Sequence, residues 1–548
     1  MVRGSRDPGS EVGAGYRQIL NLAVPAFLSL IAEPLFLVAD SAVVGHLGTA
    51  ELAGLGVASA ALTTFTGLFV FLAYATTATS SRRMGAGDRQ GAAQAGVDGL
   101  WLSVIIGLLV AIMLVAIPTT VAGWFGASGA VAEQAGRYLR ITGFGVPAML
   151  ATMAITGVLR GFQDTRTPLV VTVVTFSANL VLNLWFVLGM GWGIQGSAIG
   201  TLVCQIAMAV ALVWVLRIRT RGLDLSLVPH LSGIASSLRD GIPLLIRTLA
   251  LRAALYVTTW VAARSGAITM ASYQVTMTMW NLLLMAMDAL GIAGQALTGS
   301  SLGAGDVRRT RSLTATMTRW GLVAGVVIGI VLAAFHQVVP ALYTDDPAVH
   351  RAVAAGLLVV AAQQIVAGPA FVLDGVLIGA GDGRWLSGAQ VVMLLVYLPM
   401  AWAVHLLAPS DPAAAVVWLW VAFSGFMIVR CAILAWRARG DAWDEDGRLS
   451  GFWELEGGLA ACGRRAIPKS LEVHALRSGY GVVPLWGASK HHDLASLGTL
   501  GYLSEDVPDP HGIGVDQSIV EDYRHPIVGV DEPSGGQPDD QSQLFAGP

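Results

Sequence analysis

The sequence predicts an all-α polytopic membrane protein with twelve transmembrane helices in two pseudo-symmetric six-helix bundles, followed by a polar tail. Three observations support this prediction. The 548 residues are 54% hydrophobic and 13% charged, whereas soluble domains carry about 25% charged residues. Apolar runs long enough to cross a bilayer recur as far as Arg437, and several motifs recur 218 residues further along the chain.

Twelve apolar runs lie between charged residues or Gly/Pro breaks. A transmembrane helix needs about 20 apolar residues, and each run reaches this length. The N-terminus is polar and leads directly into a full-length run, so it does not resemble a cleavable signal peptide. The predicted spans are 18–44, 52–79, 95–118, 137–159, 168–190, 194–217, 238–263, 269–299, 312–336, 350–378, 386–408 and 413–437.

The distribution of arginine predicts the orientation of the spans. Every second connection carries arginine, and the connections between hold stretches such as GHLGTAE and YTDDPAVH. The positive-inside rule then predicts that both termini lie in the cytoplasm. We expect a multi-pass protein of the plasma membrane. The arginines used are Arg82, Arg83, Arg89, Arg160, Arg166, Arg217, Arg219, Arg221, Arg308, Arg309, Arg311 and Arg384.

Three separated motifs recur at the same offset of 218 residues. Pro25 matches Pro243, GAGD at 85–88 matches 303–306, and GVLRGFQD from Gly157 matches GVLIGAGD from Gly375. Each repeat holds six spans, an even number, so both repeats insert with the same orientation. The implied architecture is two bundles related by an axis along the membrane normal, with a substrate path between them.

The charge of the chain is divided unevenly. Up to Gly440 there are 26 basic and 18 acidic residues, and beyond it 7 basic and 18 acidic residues. The last 108 residues lack helical periodicity and are rich in Gly, Pro and Asp, which predicts a mostly disordered tail. A small partner-binding module and an extension without function are the alternatives. The predicted division is an N-terminal cytoplasmic segment 1–16, bundles 17–222 and 223–440, and an acidic polar tail 441–548.

Several stretches of the apolar body occur in the order and at the spacing of a known family. They include AVPAFLSLIAEPLFLVADSAVVGHLG in span 1, RRMGAGD after span 2, ANLVLNLWFVLG in span 5 and DALGIAGQALTGSSLGAGD at span 8. These stretches resemble the multidrug and toxic compound extrusion (MATE) family, in its DNA-damage-inducible F (DinF) branch. The resemblance covers roughly residues 15–437 and excludes the tail. It implies cation-coupled export of amphipathic, often cationic organic compounds by rocking of the two bundles.

Asp40 is an acid near the middle of the apolar stretch LFLVADSAVVGHLG. Burial disfavours the charged form of a carboxyl group, so this residue is a candidate for binding and releasing a proton. Acids within a membrane are functional candidates in general, and the resemblance places a coupling aspartate at this position. A carboxyl group held neutral by a neighbour's hydrogen bond, with no role in transport, is the alternative.

Polar residues of spans 5 and 6 are candidates for the same site. Asn179 and Asn183 are four residues apart, on one face of a helix. Their amides are predicted to bond to protonated Asp40, to ligate a cation, or only to hold helices together. The family often has aspartate at the position of Asn183. The absence of that carboxylate here favours H⁺ over Na⁺ as the coupling ion. The resemblance also places Thr201 in this pocket, and ordinary helix packing is its alternative.

Further charged residues lie within the predicted spans. Glu33 precedes Asp40 by seven residues, about two helical turns, and is expected on the same side of span 1. In the second half, Arg247 is expected to form a structural ion pair with Asp288 or Asp374, because an arginine inside a membrane needs a partner. Substrate binding is the alternative role for these residues.

Span 8 carries a polarizable patch formed by Tyr273, Met277, Met279 and Trp280. Aromatic faces attract cations, and methionine adapts to varied shapes. The patch is therefore a candidate for the substrate path, and lipid-facing packing is the alternative for each residue.

The motifs exclude the common classes of enzyme. HExxH and P-loop motifs are absent, and the three cysteines lie far apart without metal-ligand spacing. We therefore predict no enzyme activity, no metal site and no cofactor, with H⁺ or Na⁺ as coupling ion. The predicted function is secondary active antiport of amphipathic or cationic organic compounds by alternating access. Small substrates and the lipid bilayer are the expected partners, without nucleic acid, and the chain is expected to be a monomer.

The alternative function is a lipid or lipid-linked precursor flippase of a related two-bundle fold. A flippase should have a strongly cationic central cavity that binds phosphate headgroups. In this sequence the acids within the spans, Glu33, Asp40, Asp288 and Asp374, balance the arginines.

Overall fold

The computed structural model describes residues 8–407 and 409–443, with side chains from residue 16 onward. This part of the chain folds into two bundles. The first bundle contains α1 (Pro8–Gly45), α2 (Thr49–Phe69), α3 (Phe71–Gly85), α4 (Arg89–Ala116), α5 (Pro118–Trp124), α6 (Gly129–Thr142), α7 (Val146–Gly161), α8 (Arg166–Asn183) and α9 (Gly193–Arg219). The second bundle contains α10 (Leu231–Arg264), α11 (Ala267–Gly303), α12 (Val307–Phe335), α13 (Val338–Ala341), α14 (Pro347–Ala380), α15 (Gly383–Leu407) and α16 (Pro412–Arg439).

Twelve segments among the described residues are long and apolar enough to cross a membrane. They coincide with the predicted spans, so the prediction of a twelve-helix membrane protein is confirmed. The second span is divided at Val70 into α2 and α3. A 3₁₀ turn at Gly143–Gly145 joins α6 to α7 within the fourth span, and a π-helical turn at Leu184–Gly189 extends α8 in the fifth.

Local chemistry accompanies two of these irregularities. Just before the break at Val70, the Thr66 hydroxyl donates to the carbonyl of Leu62 at 2.9 Å. Such a bond competes with the helix ladder and bends helices, and Gly67 follows directly. The π-helical turn begins immediately after Asn183. Turns of this kind are rare and often lie at functional sites.

The two GAGD turns bring the bundles into close contact at one end of the molecule. Gly87 and Gly305 have φ angles of 81° and 72°, which favour glycine. A Cβ atom on Gly85 would lie 2.0 Å from the Ser300 carbonyl oxygen, and one on Gly303 would lie 1.9 Å from that of Arg82. The ends of α3 and α11 therefore meet backbone to backbone, and only glycine fits at these two positions.

The connection between the bundles is held along α4. Trp101 and Gln94 donate side-chain hydrogen bonds to the carbonyls of Leu227 and Ser226, both at 3.1 Å. The boundary predicted at 222/223 falls within this connection, between the end of α9 and the start of α10.

The body of the protein extends three residues past the boundary predicted at Gly440. Asp441 forms an ion pair with Arg311 of α12. Trp443 is fully buried, and its indole N–H donates to the Ala438 carbonyl at 3.1 Å. These contacts belong to the second bundle, because Arg311 lies in α12 and Ala438 in α16. The rest of the predicted tail, from residue 444, lies outside the described residues.

Two truncations test this boundary. A chain ending at Trp443 should keep the thermal stability and export rate of the full-length protein, since all twelve spans and Trp443 are retained. A chain ending at Gly440 should lose about 3 kcal/mol of stability, because deletion of a buried tryptophan removes its packing. Melting of both purified proteins in the same detergent measures the difference, and equal melting would show that Trp443 contributes nothing to the bundle.

Candidate functional site

Asp40 lies inside the first bundle with 1% of its surface exposed. One carboxyl oxygen, Oδ1, accepts hydrogen bonds from the Asn183 amide at 2.6 Å and the Ser197 hydroxyl at 2.8 Å. The other oxygen, Oδ2, has no partner among the described residues. The carboxyl group is therefore held by neutral donors from α8 and α9, and the described residues supply no cation within ion-pair distance.

The remaining predicted coupling residues form a separate layer. The Asn179 amide donates to the Thr201 hydroxyl at 3.5 Å, and the Tyr138 hydroxyl lies 3.3 Å from the same oxygen. Asn179 makes no hydrogen bond to Asp40 in this structure, although it lies one helical turn from Asn183. The four predicted coupling residues are thus divided between a buried acid pocket and a neighbouring polar layer.

The polar layer faces a cavity of about 380 Å³. Asn179, Thr201 and Tyr138 are part of its wall, whereas Asp40 is not. Both bundles contribute charged residues to the wall, namely Glu33 of α1, Arg160 of α7, Arg252 of α10 and Asp288 of α11. The structure therefore places Glu33 at the cavity and Asp40 behind the wall, rather than both on one open surface.

A buried ion cluster occupies the second bundle. Arg247 donates through Nε to Asp374 at 3.0 Å and through Nη2 to the other carboxyl oxygen. Arg430 of α16 contacts the same carboxylate at 3.2 Å, and its guanidinium lies 4.8 Å from the ring centre of Phe371. The exposed fractions of Arg247, Asp374 and Arg430 are 5%, 4% and 0%. Of the two partners predicted for Arg247, the structure shows Asp374.

Asp288 has a different partner at the contact between the bundles. It accepts a hydrogen bond from the Tyr74 hydroxyl of α3 at 3.3 Å. The guanidinium of Arg247 lies 5.8 Å from the ring centre of the same tyrosine, and Gln295 donates to the Tyr74 carbonyl at 2.6 Å. Three groups of the second bundle therefore hold one tyrosine of the first.

The aromatic patch predicted on span 8 packs into the interior of the second bundle. Tyr273 and Trp280 are 1% and 3% exposed. Their rings lie 6.0 and 6.5 Å from that of Trp420. Neither they nor Met277 line the cavity of about 380 Å³, and the interior position of the two aromatic rings also differs from the lipid-facing alternative. A role in the substrate path stays a prediction.

Comparisons with known proteins agree with this architecture. The family model MatE matches residues 25–185 and 243–403, together more than half of the chain. The chain belongs to the MatE family. The two matches begin 218 residues apart, the offset of the sequence repeat, so each bundle contains one copy of the MATE unit.

Relatives of the chain are found in plants and bacteria. Protein DETOXIFICATION 44, chloroplastic, of Arabidopsis thaliana is 28% identical over 469 residues, covering 82% of this chain and 85% of the relative. DNA damage-inducible protein F of Escherichia coli is 27% identical over 435 residues, covering 77% and 92%. The resemblance to the DinF branch is confirmed by this relative.

Solved MATE structures share the fold. One is described as the outward-facing conformation of a multidrug resistance MATE family transporter of the MOP superfamily. It superposes with a TM-score of 0.70 at 21% identity and covers 79% of this chain and 97% of that one. The chain is thus a multi-pass member of a family of multidrug efflux transporters, and it is not an enzyme.

The two MATE units differ at the positions of the acid site. The residues 218 positions after Asp40 and Asn179 are Thr258 and Tyr397. Their hydroxyl oxygens lie 2.6 Å apart in a buried hydrogen bond. The second bundle therefore has a neutral hydroxyl pair at the position where the first bundle has an acid.

The sequence predictions did not include several residues of these sites, among them Ser197, Arg430 and Arg160. Ser197 lies four residues before Thr201, one helical turn away. This spacing could have identified Ser197 as a residue on the same face of the helix. Arg430 is an arginine inside span 12 and was detectable by the rule applied to Arg247. Arg160 was assigned to a connection, but the structure places it in the last turn of α7, at the cavity.

Proposed function

We propose that this MATE protein is a proton-coupled antiporter that exports amphipathic organic compounds, cationic ones among them, by alternating access. Asp40 is the coupling residue, and the protein functions as a monomer in the plasma membrane with both termini in the cytoplasm. The observation that carries the proposal is the buried Asp40 carboxyl group, which is bonded to two neutral donors beside a cavity between the bundles.

The arrangement around Asp40 favours a proton over a sodium ion. Two donated hydrogen bonds already occupy Oδ1, and Asn183 replaces the second carboxylate that many family members carry. A single carboxyl group becomes neutral when it binds one proton, so a protonated site needs no further charge. A bound Na⁺ would need several oxygen ligands from the same few residues.

The contacts between the bundles support alternating access. The bundles meet closely at the GAGD turns, where Gly85 and Gly303 allow backbone contact. The cavity lies between residues of both bundles, including Glu33 and Asp288. Opening the cavity toward the GAGD end requires these glycine contacts to separate, and this separation is the rocking motion that we propose.

The flippase alternative is not favoured. One relative from Arabidopsis is named as a detoxification protein, and one structural neighbour is described as a multidrug resistance transporter. Two acids accompany the two arginines of the cavity wall, so the wall is not strongly cationic when both acids are ionised.

Dye efflux from proteoliposomes tests the proposed function. The full-length protein should export a panel of cationic fluorescent dyes when a proton gradient is imposed, and a sodium gradient of equal size should drive little export. Liposomes without protein and an added protonophore provide the controls. Export that follows the sodium gradient alone would refute proton coupling.

Substitution of Asn183 by aspartate tests the local basis of ion choice. Asn183→Asp places a second carboxyl group at the 2.6 Å contact with Asp40. Two carboxylates this close cannot both be ionised without a shared proton or a cation. We expect a shifted pH profile of dye export, or stimulation by Na⁺. Asn21→Asp, at an exposed position of α1, is the matched control, and identical pH and Na⁺ profiles for the two variants would exclude α8 from coupling.

A further inference from the structure

The cavity wall contains two guanidinium groups that have no hydrogen-bond or ion-pair partner in the described part of the chain. Arg160 of α7 and Arg252 of α10 both line the cavity, one from each bundle. Among the described residues neither side chain makes a hydrogen bond or an ion pair within 4.0 Å. Arg247 and Arg430, in contrast, share the carboxylate of Asp374. The fold therefore neutralises some of its intramembrane arginines and leaves two facing the cavity.

The guanidinium group of Arg252 occupies space that a glycine leaves open. The guanidinium of Arg252 lies against Gly67 of α2, across the boundary between the bundles. A Cβ atom on Gly67 would lie 2.1 Å from a terminal nitrogen of this arginine and 3.0 Å from Cζ. The missing side chain at residue 67 thus makes the space that the guanidinium occupies at the cavity wall.

The second guanidinium has only a distant compensating charge. Arg160 interacts electrostatically with Asp288, but the two side chains are not within ion-pair distance. Asp288 itself is hydrogen-bonded to Tyr74 and also interacts with Arg247. Asp288 is therefore shared among several neighbours and does not satisfy the five N–H donors of Arg160.

The charged side chains of the cavity wall differ in whether they can become neutral. Arginine keeps its proton in proteins, so Arg160 and Arg252 contribute two permanent positive charges. Glu33 and Asp288 contribute negative charge only while they are ionised. The formal charge of these four residues therefore ranges from zero to +2 and is never negative. A cavity built to select simple cations would need the opposite balance.

We propose that the substrates bound in this cavity are amphipathic organic molecules that carry an acidic group, which Arg160 and Arg252 bind. A carboxylate group presents the planar, forked pair of acceptor oxygens that a guanidinium group matches. The inference rests on the proposed function, because it treats this cavity as the substrate site. Among the exported amphipathic compounds, it identifies anions and zwitterions as the substrates whose binding depends on these two arginines.

The rest of the wall suits the apolar part of such a molecule. Phe36 and Phe176 line the cavity and stack with their ring centres 5.0 Å apart. Met149 and Met153 also face it, and thioether side chains adapt to varied shapes. A volume of about 380 Å³ lies within the range of about 300–1,000 Å³ typical of small-molecule sites.

A matched pair of dyes tests the inference. Rhodamine B carries a free carboxylate and is a zwitterion, and its methyl ester has the same ring system but is a cation. Fluorescence anisotropy with the purified full-length protein in nanodiscs, without any gradient, should show tighter binding of rhodamine B. Arg160→Gln and Arg252→Gln should each weaken its binding roughly 10-fold, as expected for loss of a hydrogen bond to a charged group. The affinity for the ester should be unchanged within roughly twofold.

Two further variants separate binding from folding. Arg264→Gln, at the end of α10 and outside the cavity wall, is the matched control and should leave both affinities unchanged. Gly67→Ala keeps every charge but displaces the Arg252 guanidinium, which is the flexible end of a long side chain. It should weaken the binding of rhodamine B while the melting temperature of the protein stays unchanged. If either glutamine variant fails to fold, this variant tests whether the Arg252 guanidinium binds the acidic group.

The outcomes distinguish this inference from the proposed function. Equal binding of the two dyes, unaffected by Arg160→Gln, Arg252→Gln and Gly67→Ala, would overturn the inference. If only the ester binds and a proton gradient drives its export, the function stands and the inference fails. If rhodamine B binds through both arginines but no gradient drives its export, the inference stands and the proposed coupling fails.

Discussion

Replacement of Asp40 by asparagine is expected to abolish proton-driven export while leaving the protein folded. The asparagine has the shape of the acid, and its carbonyl oxygen can still accept from Asn183 and Ser197, the donors now at 2.6 and 2.8 Å. It cannot bind and release a proton. Without a proton to exchange at this site, the gradient cannot drive transport, so the gradient-dependent component of efflux should fall to the level of liposomes without protein.

The measurement compares dye efflux from proteoliposomes under an imposed proton gradient. Equal melting temperatures of the two purified proteins would establish that the variant is folded. Glu51→Gln is the matched control, because this partly exposed acid in the first turn of α2 bonds only to Gln134 among the described residues. Wild-type export by the Asp40→Asn protein would show that proton coupling resides elsewhere.

Replacement of Asp374 by asparagine is expected to destabilise the protein by about 3–5 kcal/mol, the range for removing one partner of a buried ion pair. The carboxylate is the shared partner of Arg247 and Arg430, and all three residues are at most 5% exposed. Without it, two buried guanidinium groups face each other with no negative charge between them. Thermal or denaturant unfolding of the purified protein in one detergent measures the loss.

Removal of one cation from the same cluster provides a comparison with removal of the acid. Arg430→Met removes the second cation and leaves Arg247 and Asp374 as a one-to-one pair. It should therefore cost less stability than Asp374→Asn, even though a larger side chain is changed. Asp345→Asn, in the connection between α13 and α14, is the surface control and should have little effect. A greater loss from Arg430→Met than from Asp374→Asn would show that packing of Arg430, rather than charge balance, stabilises the cluster.

The agreement between the predicted and observed spans has a simple cause. A helix that crosses a bilayer must satisfy its own backbone hydrogen bonds and expose apolar side chains, so each span appears in the sequence as one long apolar run. The break at Val70 and the π-helical turn after Asn183 do not change the apolar character of their spans. They depend on single hydrogen bonds and packing contacts, and hydropathy does not register them.

The functional residues likewise include some that the sequence identifies and others that only packing reveals. Asp40 was identifiable because an acid in an apolar run is unusual whatever surrounds it, and Asn183 was identifiable from helical spacing. The sequence did not show that Asp374, rather than Asp288, is the partner of Arg247. Both acids lie in apolar helices, and only packing brings one of them within reach of the arginine. The boundary at Gly440 followed a change in composition, whereas burial of Trp443 extended the body beyond it.

The sequence by itself determined the twelve spans, the 218-residue repeat and the presence of an acid in the first span. These features depend on neighbours along the chain, through the length of an apolar run or the spacing along a helix. The tertiary structure decided which charges meet and which stay unpaired. Asp374 lies between Arg247 and Arg430, whereas Arg160 and Arg252 face the cavity. Those outcomes depend on how helices more than a hundred residues apart pack together, and an ion pair forms only where packing brings two charged groups within a few ångströms.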